Sequence, residues 1–219
     1  MKKILFTFTG LITAILAFSQ KDPAAQVHLD KVAEKSKSAR ALSVTFEYKM
    51  QDMSDNQMNF SQRGKAILSG NKYKIIMDGS EIYFDGSTLY NYIPEANEVT
   101  ISKPDPDYDD VFLSNPSRIF TLYTEDFKYR LLREFDESGE NLVEIDLIPE
   151  DLDQSYSRIR LHIDKNSHEI VRAKLFEKMG GRYTIQFTDY KLLTDIEENT
   201  FRFDTSKHSD IHVNDMTAF

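Results

Sequence analysis

The sequence of 219 residues contains no cysteine and no tryptophan. Without cysteine, a disulfide scaffold and thiolate–metal sites are excluded, so a hydrophobic core has to stabilise the chain. After residue 20 no stretch approaches 18 uninterrupted apolar residues, and no further segment is expected to span a bilayer. The formal net charge is −9, and no stretch of sequence is locally basic. These features argue against nucleic acid and anionic membrane surfaces as partners.

The first twenty residues, MKKILFTFTGLITAILAFSQ, have the pattern of a secretory signal peptide. Two lysines precede an uncharged apolar stretch that is short for a membrane span. Ala17 and Ser19 are small residues at the −3 and −1 positions of a cut before Gln20. We therefore expect a signal peptide over 1–19 and one exported domain over 20–219. No cysteine follows the cut, so no lipid anchor is expected there, and the predicted location is the periplasm.

The periodicity of the remaining chain predicts one helix followed by many strands. Asp22 and Pro23 suit an N-cap and first helical position, and apolar residues at helical spacing extend the predicted helix to about Ala39. From Leu42 onward, apolar and polar residues alternate in short runs separated by Gly, Asn, Asp and Pro turns. The predicted strands are 42–50, 60–69, 73–78, 81–84, 88–93, 98–102, 127–135, 142–148, 156–163, 169–178 and 182–192.

One segment in the middle of the chain interrupts this rhythm. Residues 104–110 are acidic and rich in proline, which predicts an exposed loop, and Asn115-Pro116 then suits the start of a second short helix. A twisted antiparallel sheet of about ten strands tends to curl on itself. The predicted fold is therefore α+β and mostly β: a curved antiparallel sheet, or unclosed β-barrel, with helices over its mouth.

Residues that could bind a metal are few. His208 and His212, with Asp210 between them, have ligand spacing but lie in a polar C-terminal segment, and we expect a solvated tail there. The acidic stretch beginning at Asp105 resembles the opening of a calcium loop. It lacks the glycine and the glutamate that an EF-hand requires at its sixth and twelfth positions. No metal or cofactor is predicted.

Signatures of catalysis are also missing from the sequence. There is no G-x-S-x-G elbow, P-loop or G-x-G-x-x-G, and paired carboxylates such as Glu197-Glu198 lie in predicted loops. We therefore predict that the protein is not an enzyme, with a hydrolase of unrecognised site as the open alternative. What remains is the apolar face of the sheet, which is either a plain core or the wall of a ligand cavity.

The order of several short motifs resembles that of the periplasmic outer-membrane lipoprotein carriers, the LolA-like proteins. The matching stretches are LSVTF at 42–46, GKAIL at 64–68 leading to YKI at 73–75, and FRF at 201–203. DGSTLYNY at 85–92 is similar to the D-G-x-T-L-W/Y-x-Y strand opening of that family. Members often carry an Arg-Pro pair whose arginine ties the lid shut, but the corresponding place here is Ser69-Gly70-Asn71-Lys72.

This resemblance implies an unclosed β-barrel with a helical lid over an apolar cavity that holds the acyl chains of lipoproteins. Implied partners are acylated lipoproteins, an inner-membrane ABC transporter complex and an outer-membrane acceptor, for a protein that acts as a monomer. A lipid- or lipoprotein-sensing regulatory protein of the same fold is the alternative. The expected lipid-binding residues on the sheet side are Val44, Phe46, Tyr48, Leu68, Tyr73, Ile75, Met77, Phe84 and Leu89. Those expected on the lid side are Phe112, Ile119, Phe120 and Tyr123.

Overall fold

The structure is a computed structural model, which describes residues 21–52, 59–104, 116–125 and 127–218. The predicted signal peptide, the predicted cleavage site and Phe112 lie outside these residues. One α-helix, α1, runs over Pro23–Lys37. The strands in chain order are β1 Ala41–Asp52, β2 Asn59–Ser69, β3 Lys72–Met77, β4 Ser80–Phe84, β5 Leu89–Ile93, β6 Glu98–Ser102, β7 Phe127–Glu137, β8 Glu140–Pro149, β9 Tyr156–Asp164, β10 Ile170–Glu177, β11 Gly181–Leu193 and β12 His212–Asp215.

All twelve strands belong to one sheet, in the order β12-β6-β5-β4-β3-β2-β1-β11-β10-β9-β8-β7. Strand β1 pairs antiparallel with both β2 and β11, which joins the two halves of the chain at the centre of the sheet. The edge strands β7 and β12 have no pairing with each other in the described part of the chain, so the sheet is not closed. The predicted curved, mostly β fold is thus confirmed.

Alternation along the strands places most apolar side chains on one face of the sheet. A single core cluster joins the inward residues of β1 to β4 and β7 to β11 with the apolar side of α1. On α1, the buried residues are Ala25, Leu29, Val32 and Ala33, the periodic positions that the sequence predicts. The sheet therefore curves around the helix. In the part of the chain that the structure describes, no helix has the length and apolar composition needed to cross a membrane.

Asp22 fixes the start of α1 as its N-cap and also ties the helix to the edge of the sheet. Its Oδ1 accepts a hydrogen bond from the backbone N of Ala24 at 2.9 Å, and Pro23 occupies the first helical position. Its Oδ2 accepts from the backbone N of Leu131 in β7 at 3.0 Å, while its own N donates to Tyr129 O at 3.1 Å. One carboxylate thus satisfies a helix end and an edge-strand amide together.

Replacing Asp22 should destabilise the fold through both contacts. Asp22→Ala removes the cap and leaves the part-buried amide of Leu131 without an acceptor, for an expected loss of about 2–3 kcal/mol in the free energy of unfolding. Asp22→Asn keeps a capping oxygen but loses the second acceptor, so about half of that loss is expected. Urea unfolding of the three proteins checks this order. Equal stability of the alanine and asparagine variants would contradict the double role.

Two parts of the sequence-based expectation are wrong. The second helical segment is not an α-helix but two 3-10 turns, Pro116–Phe120 and Leu122–Thr124. The C-terminal segment is not merely a solvated tail, because β12 pairs parallel with β6 and the His208 ring stacks on Phe203 at 4.7 Å between centroids. All four residues of β12 are exposed, so no apolar alternation marks this strand in the sequence.

Candidate functional site: an apolar cavity under a lid

The wall of the site is built from the central strands of the sheet. Phe46 in β1 lies opposite Gly64 in β2 and Phe187 in β11, so the two halves of the chain meet on this face. Gly64 leaves room for the ring, because a Cβ built there would lie 2.7 Å from Phe46 Cζ. Glycine inside a strand often marks such a close approach.

Above this wall lies the segment 116–125, which we call the lid segment. Ile119, Phe120 and Leu122 of this segment are buried against the core. The space between wall and lid is an apolar cavity of about 20 Å³. It is lined by Val44, Phe46, Tyr48, Ala66, Leu68, Ile75, Pro116, Ile119, Ile185 and Phe187. That volume holds about one water-sized group, so the structure is a closed form in which side chains fill the interior.

A larger pocket of about 480 Å³ opens beside the apolar cavity. Leu68 lines both spaces, so the two lie side by side at this residue. The rim of the larger pocket is formed by the end of α1, residues 69–71 and the polar side of the lid segment. Arg40 and Arg118 are among its lining residues. This size is typical of small-molecule pockets. We call it the mouth pocket.

Few polar contacts hold the lid segment to α1. The Tyr123 hydroxyl donates to Asp30 Oδ1 at 2.6 Å, and the Tyr123 ring meets Tyr129 edge-on at 6.0 Å. Partial burial and the hydrogen bond to the Asp30 carboxylate both raise the pKa of Tyr123, so its hydroxyl stays a donor at neutral pH. Arg118 pairs with Glu125 inside the lid segment itself. Ile119, Phe120 and Leu122 of the lid segment pack against the apolar core.

A comparison of the chain with known proteins identifies its family. The family model described as outer membrane lipoprotein carrier protein LolA matches residues 37–204. The chain belongs to the LolA family. The match begins at the end of α1 and ends just after Phe203. It includes every residue that lines the apolar cavity, the lid segment, and all lining residues of the mouth pocket except Ser36. No curated protein sequence matches the chain.

Solved structures that resemble this chain have low sequence identity to it. An uncharacterized conserved protein from Thermus thermophilus is 14% identical, with 88% of this chain and 99% of that one covered at a TM-score of 0.58. A LolA superfamily protein from Nitrosomonas europaea is 16% identical, with 82% and 98% covered at 0.42. Lipoprotein LppX from Mycobacterium tuberculosis is 14% identical, with 81% and 100% covered at 0.47. The first of these scores indicates a shared overall fold.

Most of the residues predicted to bind lipid are brought together in this LolA-family fold. Val44, Phe46, Tyr48, Leu68, Ile75 and Ile119 line the apolar cavity, and Phe120 lines the mouth pocket. Tyr73, Phe84 and Tyr123 belong to the same buried cluster, against which Met77 and Leu89 pack half-buried. Burial raises the pKa of the Tyr73 hydroxyl to about 12. Their binding of lipid stays a prediction.

Four lining residues were missed from the sequence: Ala66, Pro116, Ile185 and Phe187. Ile185 and Phe187 alternate with polar residues in the predicted strand 182–192, so their inward face is visible in the pattern. The pattern does not show that β11 lies beside β1, because that pairing joins residues far apart in the chain. The side chain of Ala66 is too small to indicate from the sequence that it lines a cavity wall.

The LolA-family lid here has a tyrosine–aspartate contact rather than the arginine expected from other members. Ser69, Gly70 and Asn71, at the place of the family's Arg-Pro pair, line the mouth pocket, and Ser69 Oγ donates to Arg40 O at 2.7 Å. Instead, the Tyr123–Asp30 hydrogen bond joins the lid segment to α1. A hydrogen bond to a charged group contributes about 1.5 kcal/mol or more.

Loss of the Tyr123–Asp30 hydrogen bond should make it easier for the lid segment to move away from α1, which opens the cavity. Tyr123→Phe is expected to increase the rate at which a fluorescent fatty-acyl probe enters the protein by about tenfold, because opening then breaks one contact fewer. Stopped-flow fluorescence measures this rate. Tyr90→Phe is the matched control, since Tyr90 belongs to a separate cluster on the other face of the sheet. Equal rates in the native protein and Tyr123→Phe would show that this contact does not limit opening.

The opposite face of the sheet carries a network of charged residues that the sequence did not reveal. Arg160 binds Asp146 through two hydrogen bonds of 2.7 and 2.9 Å, and His162 Nε2 lies 2.8 Å from Glu144 Oε2. Burial, followed by the charge of Arg172, lowers the pKa of His162, although the Glu144 partner acts to raise it. The lowered pKa favours a neutral His162 ring. Cross-strand pairing gathers on this face basic residues that are scattered in the sequence, together with the carboxylates that pair with them.

Proposed function

We propose that this LolA-family protein is exported, is processed before Gln20, and carries the acyl chains of lipoproteins through the periplasm. The observation that supports this most directly is the apolar cavity between Phe46, Phe187 and Ile119, which shares the lining residue Leu68 with the mouth pocket. A hydrocarbon chain that entered through the mouth pocket would displace the lid segment and replace its apolar contacts with the wall. No covalent step is needed for this exchange.

The energetics of lipid transfer explain why such a cavity is useful. Each buried CH2 group contributes about 0.8 kcal/mol, so exposing a sixteen-carbon chain to water costs about 12 kcal/mol. A carrier that covers the chain removes most of this cost. Because the closed cavity holds only about 20 Å³, the closed protein does not expose to water the apolar surface that would cover an acyl chain.

The transfer route in this proposal runs from an inner-membrane ABC transporter complex to the outer membrane. The same fold could also serve a regulatory protein that senses lipid or lipoprotein, and two experiments separate the candidates. Native mass spectrometry of the protein purified from its own periplasm should show bound lipid or acylated peptide if it is a carrier or a sensor. A protein that is consistently free of lipid, even after lipoprotein is added, would contradict both.

Depletion in the native bacterium then separates a carrier from a sensor. If the protein is a carrier, membrane fractionation after depletion should find outer-membrane lipoproteins retained in the inner membrane. The matched control is complementation with the native gene and with the Phe46→Glu variant, of which only the first should restore sorting. Normal sorting together with altered gene expression would favour the regulatory alternative.

A further inference from the structure

The mouth pocket contains charged side chains of one sign only. Three of its fourteen lining residues are charged, and all three are cations: Lys37, Arg40 and Arg118. No carboxylate occurs among the lining residues in the part of the chain that the structure describes. The whole chain, in contrast, has a net charge of −9. A concave site lined by cations attracts anions, so this pocket favours an anionic ligand.

Both arginines keep donors that a ligand could use. Arg40 Nη1 lies 3.2 Å from Asp195 Oδ1, but these two side chains are 60% and 88% exposed. Arg118 uses Nη2 for its pair with Glu125. A guanidinium group has several N–H donors, and ion pairs between exposed side chains contribute little stability. Each arginine can therefore bind an oxyanion with the donors that its carboxylate partner leaves free.

Lys37 adds a cation that has no carboxylate partner within the described residues. It lies in the last turn of α1, where its side chain is exposed. The C-terminal end of a helix carries a partial negative charge of about half an elementary charge, which opposes an anion. The full charge of the Lys37 ammonium group exceeds this opposing charge.

The carboxylates that pair with residues of the mouth pocket are fewer than the cations that line it. Asp195 and Glu125 each pair with one arginine, which leaves an excess of one positive charge. Asp30 and Glu34 of α1 act on the Tyr123 hydroxyl, whose pKa they help to raise, and neither lines the pocket. The charge balance of the pocket therefore suits an anion even when its paired carboxylates are counted.

Two hydroxyl groups of the pocket donate to the protein itself. Ser36 Oγ donates to Ala33 O at 2.9 Å, and Ser69 Oγ donates to Arg40 O at 2.7 Å. Because these hydroxyls have used their protons, they have only lone pairs to present to a ligand. Binding of an anion in this pocket therefore depends on the cations and should weaken as the salt concentration is raised.

The mouth pocket also has an apolar side. Leu42, Leu68 and Phe120 line it and are buried in the core cluster. Leu68 lines the apolar cavity as well. A ligand in the pocket thus meets cations and hydrocarbon within one space, beside the cavity proposed for acyl chains. This combination suits an amphiphile with an anionic head and an acyl chain.

We propose that the mouth pocket binds the phosphate headgroup of an anionic phospholipid, with an acyl chain in the apolar cavity once the lid segment is displaced. This inference rests on the proposed function, because both place acyl chains in the same cavity, and it extends the cargo to phospholipids. Arginine binds phosphate oxygens in bidentate fashion. The volume of about 480 Å³ accommodates a glycerol phosphate group, whereas a single carboxylate would fill little of it.

Three ligands separate the phosphate from the acyl chain. Lysophosphatidic acid has both, monoacylglycerol with the same chain lacks the phosphate, and glycerol phosphate lacks the chain. Each is added to the purified protein below any micelle concentration, and displacement of an uncharged fluorescent acyl probe gives its dissociation constant. We expect lysophosphatidic acid to bind about tenfold more tightly than monoacylglycerol, because it alone makes charge-assisted hydrogen bonds. Glycerol phosphate should bind far more weakly than either.

Paired variants test whether the cations of the pocket cause this preference. Lys37→Gln with Arg40→Gln should reduce it about fivefold, since only Arg118 then remains to bind the phosphate. Both replaced side chains are exposed, so thermal unfolding should match that of the native protein. The matched control, Lys31→Gln with Arg130→Gln, changes the net charge equally at exposed positions outside the pocket. It should keep the native preference.

Equal binding of lysophosphatidic acid and monoacylglycerol, or an unchanged preference in the Lys37→Gln, Arg40→Gln protein, would overturn the headgroup site. Glycerol phosphate that binds as tightly as lysophosphatidic acid would overturn it in favour of a free phosphate compound. Tighter binding of an acylated acidic peptide than of lysophosphatidic acid would overturn it in favour of a lipoprotein segment. Failure of the probe and of every acylated ligand to bind would overturn the proposed function as well, which distinguishes the two failures.

Discussion

A Phe46→Glu protein is expected to lose at least tenfold in affinity for a fatty-acyl probe. Phe46 is only 6% exposed, lines the apolar cavity and packs over Gly64, so a carboxylate at this position meets hydrocarbon with no partner. Burying an unpaired charge costs several kcal/mol. This cost lowers the affinity for any acyl chain that occupies the cavity and, in part, the stability of the closed form itself. Fluorescence titration measures the affinity and thermal unfolding measures the stability.

Two control variants separate the charge from its position. Phe46→Leu keeps the wall apolar and should retain affinity within about threefold, since hydrophobic exchanges of this kind cost less than about 1.5 kcal/mol. Thr45→Glu places the same carboxylate one residue earlier, on the opposite face of β1, beside Lys65 of β2. It should bind the probe like the native protein. Unchanged binding by a folded Phe46→Glu protein would contradict the assignment of this cavity.

A Gly64→Val protein is expected to lose about 3 kcal/mol or more of stability. A Cβ at this position would lie 2.7 Å from the backbone O of Ile76 in β3, 2.7 Å from Phe46 Cζ and 2.9 Å from Met77 Cγ. The two side chains can move, but the carbonyl oxygen belongs to a paired strand and cannot retreat without opening the ladder. Overpacking of this kind costs about 1–3 kcal/mol, and the two further methyl groups of valine add to it.

The same substitution in a free part of β2 provides the control. Ser61→Val removes an exposed hydrogen bond to Glu47 and should change stability by less than about 0.5 kcal/mol. Urea unfolding compares the two variants. If Gly64→Val were as stable as Ser61→Val, the close approach of Phe46 and β3 to Gly64 would not hold in solution. Because the displaced Phe46 ring would move toward the lid segment, Gly64→Val should also weaken probe binding.

Local rules explain why the elements could be predicted. Asp22 and Pro23 mark the start of α1 because one side chain caps the helix and the other suits its first position, and the structure confirms both. The eleven predicted strands all occur, since alternation with turn residues between the runs is a property of neighbouring residues. Leu89, Met77 and the buried aromatic residues were recognisable for the same reason, as members of an inward face.

Contacts between distant residues explain what could not be predicted. Strand β12 has no apolar alternation and forms only because β6 offers an unpaired edge. The inward face of β11 was visible, but its place beside β1, which brings Phe187 and Ile185 into the cavity, depends on pairing across more than a hundred residues. The arginines around Phe176 come from two strands, β9 and β11, so the sequence shows no basic stretch.

The sequence alone determined the kinds of element, their order and the face that each one buries, because helix caps, turns and periodicity act over a few residues. It also determined the family, through motifs kept in order along the chain. Only the tertiary structure decided that the interior is closed to about 20 Å³, that Tyr123 joins the lid segment to α1, and that Arg158, Arg160 and Arg182 gather around Phe176. Each of these depends on how distant strands pack, which local pattern does not encode.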